Sequence, residues 1–237
     1  MAKYDPFNDL PHPDRTIVNS KAYGEHTRAR RGTRSKVEVN ETLKTHTLLL
    51  TGANMPARLV KNEIDSHRAG FPSGQLWQHL VGMFKTQLKM NLPLSVDQLM
   101  LKDICKDYPL TRLLKHGLIK VITSGPDAVN VTFEKLNPQF RQKALDGYQV
   151  EVAVMYFDFD YMESASDSSV SPIVPLNHPG LLNFELNPGK RGDRYLICLK
   201  LTGCVRNEIL TDNSAIAMQI IETGMVGQNG LEKAKLY

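Results

Sequence analysis

Residues 147–157, GYQVEVAVMYF, carry the strongest β-strand pattern in the chain. One set of alternating side chains comprises Tyr148, Val150, Val152, Val154 and Tyr156. The residues between them are Gln149, Glu151, Ala153, Met155 and Phe157. Because successive side chains of a strand point to opposite faces of a sheet, each set lies on one face. The pattern therefore predicts a strand that begins at Gly147.

Short strand candidates separated by turn residues lie on both sides of this strand. They cover residues 118–123, 129–133, 173–174, 181–186, 195–201 and 215–222. Residues 124–127, SGPD, and 187–189, NPG, supply turn chemistry between them. No helical pattern separates these strands, which favours an antiparallel sandwich over a parallel sheet with crossover helices. The serine-rich stretch 164–171 is predicted to be a polar loop.

From residue 37 to about residue 89 the sequence shows the 3.6-residue period of helices, and after Pro93 the pattern is mixed. Asn40 can cap a first helix that ends at Gly52, and Asn54 can cap a second that ends at Gly70. A third helix follows Ser73. Its apolar residues fall on one stripe: Leu76, Trp77, Leu80, Val81, Phe84 and Leu88. We therefore predict a helical region before the strands, with the stripe of the third helix buried.

The strand motifs 146–152, DGYQVEV, and 196–201, LICLKL, come after this helical region. In that layout they resemble uncharacterised helix-plus-sandwich proteins of Bacteroidota and their phages. The resemblance covers the latter half of the chain, implies an immunoglobulin-like β-sandwich and assigns no residue a catalytic role. The predicted fold class is α+β, with an extended arm over residues 1–36, helices over 37–116, the sandwich over 117–223 and a flexible tail over 224–237.

The predicted arm has a strongly basic second half. It lacks apolar periodicity, and prolines interrupt its beginning. Residues 21–36 hold one acid, Glu25, and six basic residues: Lys21, Arg28, Arg30, Arg31, Arg34 and Lys36. The local net charge is +5, against +4 for the whole chain. Such an arm can contact the phosphates of a nucleic acid or the acidic surface of a neighbouring copy.

A segment of opposite charge occupies residues 146–167. It contains no Lys or Arg and six acids: Asp146, Glu151, Asp158, Asp160, Glu163 and Asp167. Three of these acids, at 158, 160 and 163, faintly resemble a calcium-binding loop, but Met162 stands where an oxygen ligand is needed and the required glycine is absent. An exposed acidic strand end is the favoured interpretation.

Composition and motifs favour a protein that is not an enzyme. The chain is 41% hydrophobic and 23% charged, which excludes collagen-like and wholly disordered proteins. It has no phosphate-binding glycine loop, no Gly-x-Ser-x-Gly elbow and no paired histidines, and Cys198 and Cys204 lack a second pair for zinc. We therefore expect no cofactor, metal or small-molecule substrate. The tripeptide at 191–193, RGD, is interpreted as an exposed hairpin turn.

The sequence also bears on location. Three cysteines suggest a reducing compartment, and the first residues lack the apolar core of a signal peptide. We expect synthesis in the cytoplasm and no membrane partner.

The leading functional expectation is a structural homo-oligomer. It would be a subunit of a particle or filament, for example of a virion. It would assemble through terminal arms and sandwich edges. The alternative is a nucleic-acid-binding module that uses the basic arm.

Overall fold

A computed structural model shows the fold. It describes residues 15–21, 24–29, 40–68, 71–105, 108–114, 120–124, 128–134, 136–142, 144–177, 180–189, 192–212, 215–227 and 230–233. The chain forms two compact units, Met1–His46 and Thr47–Tyr237.

The first unit contains a β-hairpin. Strands β1 (Arg15–Ser20) and β2 (Gly24–Ala29) pair antiparallel, with Ser20 opposite Gly24. The residues predicted as an extended arm, 1–36, therefore include a paired hairpin. Neither strand has the apolar alternation that predicts a strand buried on one face, so its pairing rests on backbone hydrogen bonds that leave no sequence pattern. The rest of that range lies outside the described residues.

The helices are α1 (Glu41–His67), α2 (Leu76–Lys89) and the short α3 (Leu110–Leu113), with a 3-10 turn at Asp97–Leu99. Asn40 caps α1 as predicted, because its Oδ1 accepts the backbone N–H of Leu43 at 2.8 Å. The third predicted helix is confirmed as α2, whose buried residues include Leu80 and Phe84.

The prediction of two helices between Asn40 and Gly70 is wrong, since α1 runs through Gly52, Asn54 and Pro56 without a break. Pro56 removes a backbone donor but is itself buried, so its packing offsets part of that loss. Gly52 permits a close approach of the two helices, because a Cβ there would lie 3.2 Å from Cδ1 of Leu88 on α2.

The strands form two further sheets. The first five are β3 (Lys120–Ser124), β4 (Val129–Phe133), β5 (Gly147–Asp158), β6 (Glu163–Val170) and β7 (Val174–Pro175). The others are β8 (Leu182–Leu186), β9 (Arg194–Val205), β10 (Glu208–Ile209), β11 (Ile216–Gly227) and β12 (Gly230–Lys233). The central sheet has the order β12-β11-β9-β5-β6, with β10 paired to β9 and β7 to β5, and the small sheet has the order β3-β4-β8.

The α+β class is confirmed, because the described residues form a few helices and mostly antiparallel sheets. An immunoglobulin-like sandwich is not confirmed, because the central sheet curls into a half-barrel. The hairpin β3–β4 and the strand from Gly147 are present where the sequence predicts them.

The two faces of the central sheet are covered by different layers. On one face, Lys120 Nζ of β3 lies 2.9 Å from a carboxylate oxygen of Glu222 on β11, so the small sheet packs on that side. On the other face, His67 of α1 reaches Glu151 on β5. Strand β5 is therefore buried on both sides, and its alternating side chains pack against the helices on one face and against the small sheet on the other.

Three local predictions need correction. Residues 164–171 do not form a loop: 164–170 belong to β6, which pairs with β5, and a strand at a sheet edge tolerates polar side chains. Strands β8 and β9 belong to different sheets, so the RGD tripeptide is not the turn of a hairpin. The predicted tail is strand over much of its length, because β11 continues to Gly227 and β12 pairs back on it, while residues 234–237 lie outside the described residues.

Within the described ranges, the helices are all too short or too polar to cross a membrane.

A close backbone approach at Gly192 yields a stability prediction. A Cβ there would lie 2.2 Å from the carbonyl carbon and oxygen of Phe157, which is held in the central sheet as part of β5. We expect Gly192→Ala to lower the free energy of unfolding by about 1–3 kcal/mol or more. Urea unfolding followed by the fluorescence of Trp77, the single tryptophan, would measure the change.

Gly180→Ala is the matched control, because no atom lies within 4 Å of a Cβ at that position. Its unfolding midpoint should stay close to that of the wild type. Equal midpoints for both variants would contradict the close approach at Gly192.

Candidate functional site

The structure describes little of the predicted basic surface. Lys21 lies exposed in the turn between β1 and β2. Arg28 belongs to β2, but its side chain is not among those described. Arg30, Arg31, Arg34 and Lys36 lie outside the described residues. The polyanion or assembly contacts proposed for these residues therefore stay predictions.

The six acids of the predicted patch are spread along the sheet. Asp146 precedes β5, whereas Asp158 ends it, and a strand of this length spans about 40 Å. Asp158 and Glu163 are opposite each other where β5 turns into β6. Asp160 lies in that turn and is exposed. Only the acids at this end of the sheet are thus brought together.

Several of these carboxylates accept backbone hydrogen bonds. Asp158 Oδ1 accepts the N–H groups of Asp160 and Tyr161 at 3.1 and 3.0 Å. Asp146 accepts the N–H of Arg206 at 2.9 Å, and Asp167 that of Asn187 at 2.6 Å. Across the described part of the chain, no three His, Cys, Asp or Glu side chains are placed to hold a metal ion. These acids order turns and loops.

Glu151 lies in a different environment from the other acids. It is directly opposite Lys200 of β9, whose Nζ donates to its carboxylate. Lys200 also donates to the backbone carbonyl of His67 at 2.9 Å, and His67 Nδ1 lies 3.4 Å from the other oxygen of Glu151. These side chains are between 13% and 16% exposed. We call them the Glu151 cluster, and it joins the end of α1 to the sheet.

The pKa values show which chemistry the cluster can support. Burial alone would raise the pKa of Glu151, but hydrogen bonds from His67 and Lys200, together with their charges, outweigh it and hold the pKa below its ordinary value. Burial and the nearby charge of Glu151 raise the pKa of the Cys198 thiol. At neutral pH the carboxylate is therefore ionised and the thiol protonated, so neither a general acid nor a thiolate nucleophile arises from these two groups.

A cavity of about 160 Å³ borders the cluster. Its lining includes Glu151, Lys200 and Thr202 on the polar side and Ile209 and Ile216 on the apolar side. Pockets for cofactors and drug-sized ligands occupy about 300–1,000 Å³. This space is of a size for a few water molecules, at about 30 Å³ each, which can hydrate the charged pair.

A second surface lies along α1, where large apolar side chains face solvent. The exposed fractions are 73% for Leu48, 44% for Leu50 and 60% for Met55. Farther along, Met55, Leu59 and Met162 line a groove of about 430 Å³ between α1 and the β5–β6 turn. No apolar stripe was predicted for this part of α1, although Leu48 and Met55 are seven residues apart and so share one side of the helix.

This chain was compared with known protein families, curated proteins and solved structures. No known protein family, curated protein or solved structure matches this chain. The resemblance to helix-plus-sandwich proteins therefore stays a prediction.

Removing the ammonium group of the Glu151 cluster should destabilise the fold. Lys200→Met leaves the carboxylate of Glu151 buried with only His67 near it, and losing one partner of a buried ion pair costs about 3–5 kcal/mol. Adding Glu151→Gln to that variant removes the stranded charge and should recover part of the loss. Lys89→Met, at the exposed end of α2, is the matched control. Denaturant unfolding at neutral pH measures all four proteins.

The stability of the same variants should depend on pH in different ways. In the wild type the folded-state pKa of Glu151 lies below the unfolded value of about 4.3, so the stabilisation is complete above that pH and is lost as the pH falls through the folded-state pKa. In Lys200→Met the hydrogen bond and charge of Lys200 are absent, so burial is opposed only by His67, and we expect the folded-state pKa of Glu151 to lie above its wild-type value. Protonation of Glu151 at low pH should then stabilise this variant relative to the wild type. The difference in the free energy of unfolding between the wild type and Lys200→Met should therefore be smaller at about pH 4 than at about pH 7. A difference that does not change with pH would contradict this account.

Proposed function

We propose that this chain is a structural protein that associates with copies of itself into an ordered assembly, such as a particle or filament. The observation that carries the proposal is the exposed apolar surface of α1. Leu48 and Met55 are seven residues apart, so they share one side of the helix, and they are 73% and 60% exposed. Clustered apolar exposure of this kind is characteristic of surfaces that bind another protein.

Burial of these side chains provides a driving force for association. A Leu or Met side chain that passes from water into an interface contributes about 1.5–3 kcal/mol. Methionine also adapts to irregular partner surfaces because its unbranched chain has several rotatable bonds. A second copy of the chain offers the same helix, so a contact through α1 can be self-complementary.

The sheet edges are less suited to this contact than α1. β6, at one edge of the central sheet, carries the polar sequence ESASDSSV, and Asp167 at its middle binds the backbone of Asn187. Near the other edge, Leu231 of β12 donates its N–H to Ser124 Oγ of β3 at 2.7 Å. Polar or covered edges protect a sheet against pairing with other chains. Our proposal therefore places the main contact on the helix.

Light scattering across protein concentration tests the proposal. We expect the wild type to have a mass above that of one chain, and Leu48→Lys/Met55→Lys to weaken association at least tenfold, or about 1.4 kcal/mol. Leu181→Lys, at a residue 63% exposed in a loop, is the control and should leave the mass unchanged. A wild type that remains monomeric at every concentration and salt would overturn the proposal.

Nucleic-acid binding by the basic arm is the second candidate, favoured by the net charge of +5 over residues 21–36. If the arm binds nucleic acid, labelled DNA or RNA should bind with an affinity that falls as the salt concentration rises, because phosphate contacts release counterions. Replacing Arg28, Arg30, Arg31 and Arg34 by Ala should reduce that affinity, as fluorescence anisotropy would show. An affinity that those replacements leave unchanged would exclude this function for the arm.

A further inference from the structure

The groove beside α1 is a shaped apolar recess on the surface. Its volume is about 430 Å³, and its apolar lining is formed by Met55, Leu59 and Met162. Arg58 contributes a charged side chain to the same lining. All of these residues belong to the second compact unit. The recess is large enough to admit an aromatic side chain.

An exposed aromatic side chain lies immediately beside this groove. Tyr161 is 79% exposed and precedes Met162 in the β5–β6 turn. Its backbone N–H donates to Asp158 Oδ1 at 3.0 Å, and the N–H of Asp160 donates to the same oxygen at 3.1 Å. These bonds fix the turn, so the aromatic ring projects from an ordered support. Little conformational entropy is then lost when the ring is buried.

We propose that the groove receives Tyr161 of a second copy, so that two copies pair about a two-fold axis near the β5–β6 turn. This inference rests on the proposed self-association and names the surface that carries it. In a two-fold contact each chain presents the same patch, so the tyrosine of each copy enters the groove of the other. The adjacency of Tyr161 and Met162 places projection and recess side by side, as such a contact requires.

Charge supports the same pairing. Asp160 is exposed next to Tyr161, and Arg58 is exposed in the groove that receives the ring. Arg58 makes no ion pair with any residue in the described part of the chain. When Tyr161 of one copy enters the groove of the other, Asp160 is carried toward Arg58 of that copy. Opposite charges at matching places favour this partner and orientation over others.

A charge-swap experiment tests the pairing directly. Arg58→Glu and Asp160→Arg each place like charges across the contact, so each protein alone should associate at least tenfold more weakly than the wild type, as measured by sedimentation velocity. An equimolar mixture of the two should regain association, because in the mixed pair both contacts join opposite charges. Recovery only on mixing requires these residues to meet between chains. Failure of the mixture to recover would overturn the inference.

Substitutions of Tyr161 provide an independent test of the same contact. Tyr161→Ala should weaken association by on the order of 30-fold, the effect of losing a buried aromatic at the centre of an interface. Tyr161→Phe keeps the ring and should retain most of the affinity, and Leu181→Ala is the matched exposed control. If the wild type associates and Tyr161→Ala associates equally well, this groove is excluded while self-association stands. A monomeric wild type would overturn both.

Discussion

The pairing of β5 with β9 is the constraint on which the rest of the fold depends. These 12-residue strands run side by side through the middle of the central sheet, and helices cover one face while the small sheet covers the other. Both faces must therefore supply apolar side chains along most of their length. Strands β6, β7, β10 and β11 extend the sheet directly from this pair. The hydrophobic gain from that burial is the main force that holds the layers together.

One charged contact in this interior helps to position the two strands and the end of α1. Glu151 and Lys200 face each other across the two strands, and Lys200 also binds the last carbonyl of α1 at His67. A shift of β9 by one residue would send Lys200 to the opposite, apolar face and leave Glu151 without its partner. A buried ion pair adds little net stability, but breaking it is costly. The pair therefore helps to define both the strand register and the place where α1 ends on the sheet.

Association and stability are served by different parts of the molecule. The Glu151 cluster has its charges satisfied internally and borders a space of a size for water, so its role is to hold the helix on the sheet. The exposed side of α1 and the β5–β6 turn contribute far less to the core. Residues such as Leu48 and Tyr161 remain in contact with water in the single chain, which leaves their apolar surface available for a partner.

Local sequence patterns are enough to predict four features of the fold: the strand from Gly147, the β3–β4 hairpin, the cap at Asn40 and the buried stripe of α2. Period, capping and turn chemistry depend on residues a few positions apart, so they can be recognised without the fold. Three other features are visible only in the folded chain: α1 continues through Pro56, the serine-rich stretch is an edge strand, and Glu151 meets Lys200. The first and the last depend on a partner distant in the chain, Leu88 packed on Gly52 and β9 paired with β5. Strand β6 pairs with β5 across a short turn, but its polar sequence lacks the apolar alternation by which a strand is recognised. The groove beside Tyr161 was likewise beyond sequence patterns, because it exists only where α1 and the β5–β6 turn come together in the folded chain.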